Sequence, residues 1–349
     1  MLVMASPIAA DSHYSSGSDQ DPDTYSIGES LLEYPFHFQR RYHKFKEGSY
    51  PFPNDDQEQA RLNDQYLIFK AAQGGRLFFA PVHDPRTVID VGTGTGIWSI
   101  ELADSDLCPN AHIVGIDLSP IQPKDVPPTV VFEMQDCSEP DWGRPLNSFD
   151  FIYSRSLCGS LTDFAQYLIT ARKYLRPGHG WVECCEPMSQ PFSDDNTITP
   201  EWTFAKWEEW MDFATQKTGR PVRMAHKVKQ WMIDAGYVDV KEVVTKVPIG
   251  AWPADKQLKA IGKVWAETVC NSLAAASYKP FSEGLGWERD AIEVFLADTR
   301  RSLQGKKSRV HAYHKVYSVY GRRPSVEEEK KLGWMAPPPV PIKRIAVNG

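Results

Sequence analysis

The stretch VIDVGTGTGIWSIELA, residues 88–103, decides the fold. A short apolar run precedes three glycines, Gly92, Gly94 and Gly96, and a segment of helical periodicity follows them. Glycines between a strand and a helix let the backbone approach a ligand closely. A dinucleotide-binding loop would carry its third glycine at Ile97, one residue later than it stands here. Asp90, just ahead of the loop, also disfavours a pyrophosphate and favours a cationic ligand.

Two further acids end the next two predicted strands. HIVGIDLS (112–119) carries Asp117, and VVFEMQD (130–136) carries Asp136. A carboxylate at the tip of the second strand can accept both hydroxyls of a ribose. One at the tip of the third strand can receive the amino group of an adenine. Together with the glycine loop, these acids match S-adenosylmethionine, which has an adenosine and a cationic amino-acid tail but no phosphate. The alternative is a set of ordinary tight turns and solvated acids.

Strands and helices continue to alternate after the loop. FDFIYSRS (149–156) and GWVECCE (180–186) are predicted strands, and DFAQYLITARKYL (163–175) is a predicted helix between them. This alternation predicts a parallel sheet with both faces covered. GYVDVKEVVTKVPIG (236–250) and HAYHKVYSVYG (311–321) are predicted to form a late antiparallel pair with helices between its members. The predicted fold class is therefore α/β, Rossmann-like, with a mostly parallel sheet and an antiparallel closing strand.

Composition divides the chain into four predicted parts. The first is rich in Ser, Asp and Gly and is predicted to be disordered, and the last is rich in Pro. Between them lie a helical segment, which Asn54 or Asp55 can cap, and the sheet domain with helical cover at about 195–235 and 255–305. The parts are residues 1–30, 31–82, 83–324 and 325–349.

Charge and composition exclude several classes of function. A net charge of −6 and a pI near 5.9 disfavour a general affinity for nucleic acid. The six cysteines show neither C-x-x-C pairs nor zinc-like His spacing, which predicts reduced thiols and no metal site. No apolar run approaches the ~18 residues that a membrane span requires, and the N-terminus is a poor secretory signal. We expect a cytoplasmic protein, with the nucleus as the alternative, and no membrane partner.

The glycine stretch resembles motif I of class I S-adenosylmethionine-dependent methyltransferases, and most of the chain resembles the fungal LaeA-like (UMTA-type) family. The resemblance covers roughly residues 45–324. The matching stretches are GSYPFPNDDQEQARLNDQY, VIDVGTGTGIWSIELAD, VGIDLSPIQP, FDFIYSRSLCGSLTDF, LRPGHGWVECCE, VPIGAWPADKQLKAIG and HAYHKVYSVYGRRP. It implies a class I methyltransferase fold, with S-adenosyl-L-methionine as cofactor and S-adenosyl-L-homocysteine as product.

The resemblance also implies which residues hold the cofactor. The glycines would surround its amino-acid tail, and Ser154 and Arg155 would lie beside the methionine end and the mouth for the substrate. The N-terminal helix, with Asp55 and Arg61, would fold over the cofactor as a lid. The one departure is PGHG, where His179 replaces one of two adjacent glycines. The cofactor-binding residues so predicted are Tyr50, Asp90, Gly92, Thr93, Gly94, Gly96, Asp117, Leu118, Asp136, Cys137, Ser154 and Arg155.

Three residues are candidates for catalysis, although no His–Asp pair stands out by spacing. Glu186 ends the fifth strand, where open α/β sheets bind ligands, but it could equally be a cap or an ion-pair acid. His226 lies in the predicted helical cover, where a surface position is the plainer interpretation. Arg155 can hold a carboxylate. His311 and His314 would face opposite sides of a strand, which argues against a metal pair.

Three functions remain open from the sequence. The first is methyl transfer to an oxygen or nitrogen of a small-molecule fungal secondary metabolite. The second, implied by the resemblance, is a LaeA-like nuclear regulator of secondary metabolism, with the N-terminal segment as an arm for a protein partner or a second copy. The third is a related fold that has lost methyl transfer. The close tryptophans Trp202, Trp207 and Trp210 are predicted to fill the core, with a wall of a substrate pocket as the alternative.

Overall fold

The structure, a computed structural model, describes residues 33–304 and 310–333. The predicted disordered segment 1–30 and the proline-rich end of the tail lie outside these ranges. The strands from Tyr34 onward are β1 (Phe36–His37), β2 (Arg40–Arg41), β3 (Thr87–Val91), β4 (His112–Asp117), β5 (Val130–Met134), β6 (Phe151–Arg155), β7 (Trp181–Pro187), β8 (Val238–Ile249) and β9 (Ala312–Arg322). The helices are α1 (Asp56–Ala72), α2 (Ile97–Ala103), α3 (Phe164–Tyr174), α4 (Thr203–Lys217), α5 (Val228–Asp234), α6 (Lys256–Leu285), α7 (Arg289–Gln304) and α8 (Val326–Leu332).

Seven strands form one sheet in the order β5-β4-β3-β6-β7-β9-β8. β3 to β7 run parallel to one another, and β9 runs antiparallel to both β7 and β8. The predicted mostly parallel sheet with an antiparallel closing strand is confirmed. Because β3, β4, β5 and β6 are parallel, their carboxyl ends lie at one edge of the sheet, and the strand order reverses between β3 and β6. This edge is where open α/β sheets bind ligands.

Hydrophobic layers cover both faces of the sheet, as its apolar strands require. One layer contains Trp98 stacked on Tyr153, with ring centroids 4.0 Å apart. The other contains Trp142 stacked on Tyr174 at 4.9 Å. The adjacent Cys184 and Cys185 fall into different layers, because successive residues of a strand face opposite sides.

The helices between β8 and β9 form a cover with α4. The indole Nε1 of Trp207 on α4 donates to Ser277 Oγ on α6 at 2.8 Å. Trp202 and Trp207 are buried, as predicted, whereas Trp210 is 40% exposed and packs against Trp287. Of the helices in the described ranges, none combines the length and hydropathy that crossing a membrane requires.

The N-terminal segment is less helical than its pattern predicts. Within the described residues 33–80 the only helix is α1, so the predicted helical pattern holds for 56–72 and not for 33–55 or 73–80. Prolines at 35, 51 and 53 interrupt the preceding segment, which instead makes the short β1–β2 hairpin with Phe38 and Gln39 at positive φ. The tail also begins with a helix, α8, whose Ser325 and Glu328 form a capping box that the composition did not predict.

Asp55 begins α1 and also anchors the segment before it. Its Oδ1 accepts a hydrogen bond from Glu58 N at 3.0 Å, and its carboxylate pairs with both Arg40 Nε (2.5 Å) and Nη2 (2.7 Å). Asp55→Ala should lower the free energy of unfolding by about 1–3 kcal/mol, because it removes a cap and leaves a buried guanidinium unpaired. Urea titration measures this loss. Asp56→Ala, at the exposed neighbour, is the control and should change stability by less than about 0.5 kcal/mol; equal losses in both variants would contradict the assignment.

Candidate active site

The glycine loop lies between β3 and α2, at the carboxyl edge of the sheet. Gly92 and Gly96 have φ of 69° and 78°, a region that favours glycine. A Cβ at Gly92 would approach Leu157 Cδ2 to 2.6 Å, and one at Gly96 would overlap the Phe132 ring. Both the backbone conformation and the close packing therefore require glycine at these two positions.

Asp90 supports the loop from beneath. Its Oδ2 accepts hydrogen bonds from Thr93 Oγ1 (2.6 Å) and Ser99 Oγ (2.8 Å), and the residue is 2% exposed. Burial raises the pKa of this carboxyl group. Asp90 lies outside the cavity that opens beside the loop, so it shapes the loop and does not reach a ligand there directly.

A cavity, here called the cofactor cavity, opens where β3, β4, β5 and β6 end. Nine of the residues predicted to bind the cofactor line it. They are Tyr50, Gly92, Thr93, Gly94, Asp117, Leu118, Asp136, Cys137 and Arg155. Gly96, Asp90 and Ser154 lie outside the lining. The order of strand ends thus brings together residues that are far apart in the chain.

Asp117 ends β4 and faces the loop. Its Oδ2 accepts from Gly94 N at 2.9 Å, and its Oδ1 accepts from Ser119 N at 2.9 Å. Burial outweighs these bonds and raises the pKa of Asp117 to about 6. The carboxylate is therefore fixed by backbone donors beside the cavity, with lone pairs remaining for hydroxyl groups.

Asp136 follows β5 at the far end of the cavity. Its Oδ1 accepts from both Ser138 N (2.9 Å) and Ser138 Oγ (2.6 Å). Lys46 Nζ from the N-terminal segment lies 3.5 Å from its Oδ2 and also pairs with Glu139. The N-terminal segment therefore contacts this end of the cavity through an ion pair.

Arg155 and Ser154 end β6 and diverge, as neighbours in a strand must. Ser154 is fully buried and pairs in register with Val91 and Cys184, so the prediction that it contacts the cofactor is not supported. Arg155 lines the cavity, and its guanidinium carbon lies 4.6 Å from the centroid of the Tyr66 ring. Its Nη1 is buried without a hydrogen-bond partner within 33–304 and 310–333. An unpartnered buried donor beside the loop fits a ligand with a carboxylate.

Glu186 supports the chain after β6 and is not placed to act on a substrate. Its Oε1 accepts a hydrogen bond from Leu157 N at 3.0 Å, and its Oε2 accepts one from Cys158 N at 2.9 Å. The residue is fully buried and does not line the cofactor cavity. The prediction of a catalytic Glu186 is therefore corrected to a structural acid. His226 lies exposed in a 3₁₀ turn, Ala225–Lys227, so its catalytic assignment is corrected as well.

A second cavity adjoins the cofactor cavity, and we call it the acceptor cavity. Four residues, Tyr50, Leu62, Gln65 and Ser156, line both cavities. The acceptor cavity is otherwise walled by α1, α4, α6 and the strand ends. Its apolar lining comprises Phe52, Pro187, Met188, Trp207, Met211, Val222, Trp265, Val269 and Ala276. Trp207 thus belongs both to the core and to a pocket wall.

A hydrogen-bonded chain on α1 lines the junction of the two cavities. Arg61 pairs with Glu58 at 2.8 Å and donates from Nη1 to Gln65 Oε1 at 2.5 Å. Gln65 Nε2 in turn donates to Ser156 Oγ at 3.0 Å. Sequence reasoning named only Arg61 of these four. The helical spacing of 58, 61 and 65 was the available signal, but it did not show which element the face would meet.

The two late histidines separate as predicted. His311 stacks on Trp252 and its Nδ1 lies 2.6 Å from Asp195 Oδ2, whereas His314 is buried and lines the acceptor cavity. Among the described residues, no group of three or more His, Cys, Asp or Glu side chains is placed to hold a metal ion.

Comparisons with known proteins agree with this geometry. A family model described as a methyltransferase domain matches residues 64–242. The secondary metabolism regulator LAE1 of Cochliobolus heterostrophus is 34% identical over 82% of this chain and 93% of its own length. Methyltransferase pytC of Aspergillus terreus is 34% identical over 88% of this chain and 93% of its own length.

Matches among solved structures include methyltransferases. A putative methyltransferase from an antibiotic biosynthesis pathway of Anabaena variabilis has a TM-score of 0.46 and 13% identity, covering 75% of this chain and 99% of that one. Phosphoethanolamine N-methyltransferase 2 of Haemonchus contortus has a TM-score of 0.42 and 16% identity, covering 75% of this chain and 53% of that one.

The titration of Glu186 generates a prediction of pH dependence. Burial raises its pKa to about 7 from the ordinary 4.5, so between these values the folded protein binds more protons than the unfolded chain. The contribution of Glu186 to stability is thus full below about pH 4.5 and is lost as the pH rises through 7. Glu186→Gln removes this titration. From pH 5 to pH 8 its free energy of unfolding should rise relative to the wild type by an amount on the order of 1–3 kcal/mol.

Urea titrations at the two pH values measure this relative change. Other buried carboxyl groups titrate in both proteins and cancel in the difference. Glu209→Gln, at an exposed site on α4, is the matched control and should differ from the wild type equally at both pH values. A pH-independent difference for Glu186→Gln would contradict the prediction.

Proposed function

The chain belongs to the LaeA-like family of S-adenosylmethionine-dependent methyltransferases, and we propose that it methylates an oxygen or nitrogen atom of a small-molecule acceptor. The observation that carries the proposal is the junction of the two cavities at Tyr50, Leu62, Gln65 and Ser156. An acceptor in the second cavity would reach the cofactor at this junction. Its largely apolar lining is typical of a small-molecule site.

The predicted cofactor-binding residues that line the cavity keep the roles predicted for them, as part of the proposal. Asp117 would accept the ribose hydroxyls, and Asp136 with Cys137 would hold the adenine. Arg155 would pair with the carboxylate of the amino-acid tail, which supplies the partner that its Nη1 lacks. Bound S-adenosylmethionine supplies a methyl group on a positively charged sulfur. The chain's own contribution is alignment and the exclusion of water.

The N-terminal segment, residues 31–82 of the predicted division, would act as a lid. Ser49, Tyr50 and Asn54 line the cofactor cavity, and Asn54 Nδ2 donates to Ser119 Oγ at 3.2 Å. These contacts join the segment to the end of β4. Opening the segment would expose both cavities, and closing it would remove water from the junction.

A regulatory role is the second candidate, because relatives of equal identity bear the two kinds of name. The regulator LAE1 and the methyltransferase pytC are each 34% identical to this chain. A regulator would retain the cofactor cavity and act through a protein partner, for which residues 1–30 stay the predicted arm. Location in the cytoplasm or nucleus also stays a prediction.

Calorimetric titration with S-adenosylmethionine, S-adenosylhomocysteine and NADH tests the cofactor assignment. We expect micromolar affinity for the first two and no response to NADH. Asp117→Ala should weaken the binding of S-adenosylhomocysteine about 100-fold or more, because it removes a charged acceptor for two hydroxyl groups.

The control for this variant is Asp125→Ala, at an exposed position beyond β4, which should bind as the wild type does. Thermal unfolding of both variants verifies that they are folded. Wild-type affinity in folded Asp117→Ala would show that the ribose assignment is wrong. No binding of S-adenosylhomocysteine to the wild type would refute the proposed function.

A further inference from the structure

The acceptor cavity contains a buried carboxyl–imidazole pair that neither the sequence nor the proposed function has used. Glu208 on α4 is 2% exposed and His314 on β9 is 5% exposed, and both line the cavity. His314 Nε2 lies 2.9 Å from Glu208 Oε1. The pair therefore places polar atoms in an otherwise largely apolar wall.

Trp265 determines the tautomer of His314. Its indole Nε1 donates to His314 Nδ1 at 3.0 Å. Because the indole nitrogen is only a donor, Nδ1 must carry a lone pair, and the proton of the neutral ring is on Nε2. The Nε2–H of His314 therefore lies beside the carboxylate of Glu208.

One polar atom of the pair remains without a partner. Glu208 Oε2 is buried and has no hydrogen-bond partner in the part of the chain that the structure describes, whereas His314 Nε2 lies against Oε1 of the same carboxylate. Buried polar atoms are almost always hydrogen-bonded, because leaving them unpaired costs free energy. The other charged groups that line this cavity, Glu58 and Arg61, already pair with each other. An acceptor atom, Oε2, is therefore left for a ligand.

We propose that Glu208 binds the hydroxyl group of the methyl acceptor and takes its proton, and that the acceptor is an uncharged aromatic molecule with a phenolic hydroxyl. The proposal rests on the proposed function and assigns its substrate class. Trp207, Trp265 and Met211 form apolar walls suited to a flat ring. The unpaired carboxylate oxygen is an acceptor that matches the O–H of a phenol.

In this reaction the O–H bond of the acceptor breaks and its proton passes to Glu208 Oε2. The acceptor oxygen forms a bond to the methyl carbon, and the electron pair of the broken S–C bond stays on sulfur. The products are a methyl ether and S-adenosylhomocysteine, and the proton passes from Glu208 to solvent when the ether leaves. No oxidant, metal or further reactant is required.

The first test compares two probes, 2-naphthol and 2-methoxynaphthalene, which share a ring system and differ in the proton. Each is titrated calorimetrically into protein saturated with S-adenosylhomocysteine. The wild type should bind 2-naphthol about tenfold more tightly or better, because a hydrogen bond to a charged group is lost with the ether. Glu208→Gln should reduce this preference to about threefold or less, and the matched control Glu209→Gln should keep it.

The second test measures methyl transfer from labelled S-adenosylmethionine to 2-naphthol. Glu208→Gln should lower the rate about 10²–10⁴-fold, the usual contribution of a general base. Glu209→Gln should stay within about twofold of the wild type. The affinity for S-adenosylhomocysteine should be the same in all three proteins.

The outcomes separate the two levels of the proposal. A wild type that does not bind S-adenosylhomocysteine refutes the proposed function itself. A wild type that binds it but shows no preference for 2-naphthol, no formation of the naphthyl methyl ether, or no loss in Glu208→Gln overturns the assignment of Glu208 and its phenol. If Glu208→Gln does not fold, Glu208→Asp replaces it. That variant withdraws the carboxylate by one methylene and should also lower the rate at least tenfold.

Discussion

The cofactor cavity depends on the hydrogen bonds that the carboxyl group of Asp90 accepts beneath the glycine loop. It accepts hydrogen bonds from Thr93 at the start of the glycine loop and from Ser99 in the following helix. These two bonds bend the chain back over the end of β3, with Gly92 and Gly96 supplying the conformations that the bend requires. The bend brings Gly94 N to Asp117, which connects the loop to the end of β4. The buried side chain of Asp90 under the loop thus helps to place Gly94 N against Asp117 at the rim of the cavity.

Two acids of β7 likewise accept hydrogen bonds from backbone amides of neighbouring segments. Glu186 accepts from the two amides that follow β6, and Glu183 accepts from Phe79 N and Ala80 N, each at 2.7 Å. Burial raises the pKa of both to about 7, so a perturbed pKa at a sheet edge does not by itself mark a catalytic group. In Glu186 both carboxyl oxygens accept from backbone amides, and in Glu183 one oxygen accepts both bonds. Glu208, by contrast, keeps Oε2 buried without a partner. A buried carboxyl oxygen without a partner is therefore a better guide to a catalytic group than a raised pKa.

Local signals predicted the first half of the sheet well, and long-range packing limited the rest. Strand ends after β4 and β5 placed Asp117 and Asp136 at the cavity, because parallel strands align their carboxyl ends. The family resemblance implied that Ser154 contacts the cofactor, and the end of a strand suggested Glu186. The alternation of strand faces and the loop after β6 place both side chains outside the two cavities. Before α1, the prolines of the segment prevent the helix that the periodicity of the apolar residues predicts. Glu208 and His314 are 106 residues apart in the sequence, and no spacing rule joins a helix to the last strand of a sheet.

The order of the chain assigns the two cavities to different parts of the protein. Residues from β3 to the loop after β6 build most of the cofactor cavity, whose shape follows from the parallel strands. α4, α6 and β9 add most of the acceptor cavity, and β9 enters the sheet antiparallel, so His314 near its start lies close to the carboxyl end of β7. The start of the antiparallel strand β9 therefore lies at the same edge of the sheet as the carboxyl ends of the parallel strands, and it places His314 there. α1 faces both cavities through Leu62 and Gln65, which makes the position of one helix common to both sites. The position of α1, together with Tyr50 and the loop after β6, therefore determines the junction between the two cavities.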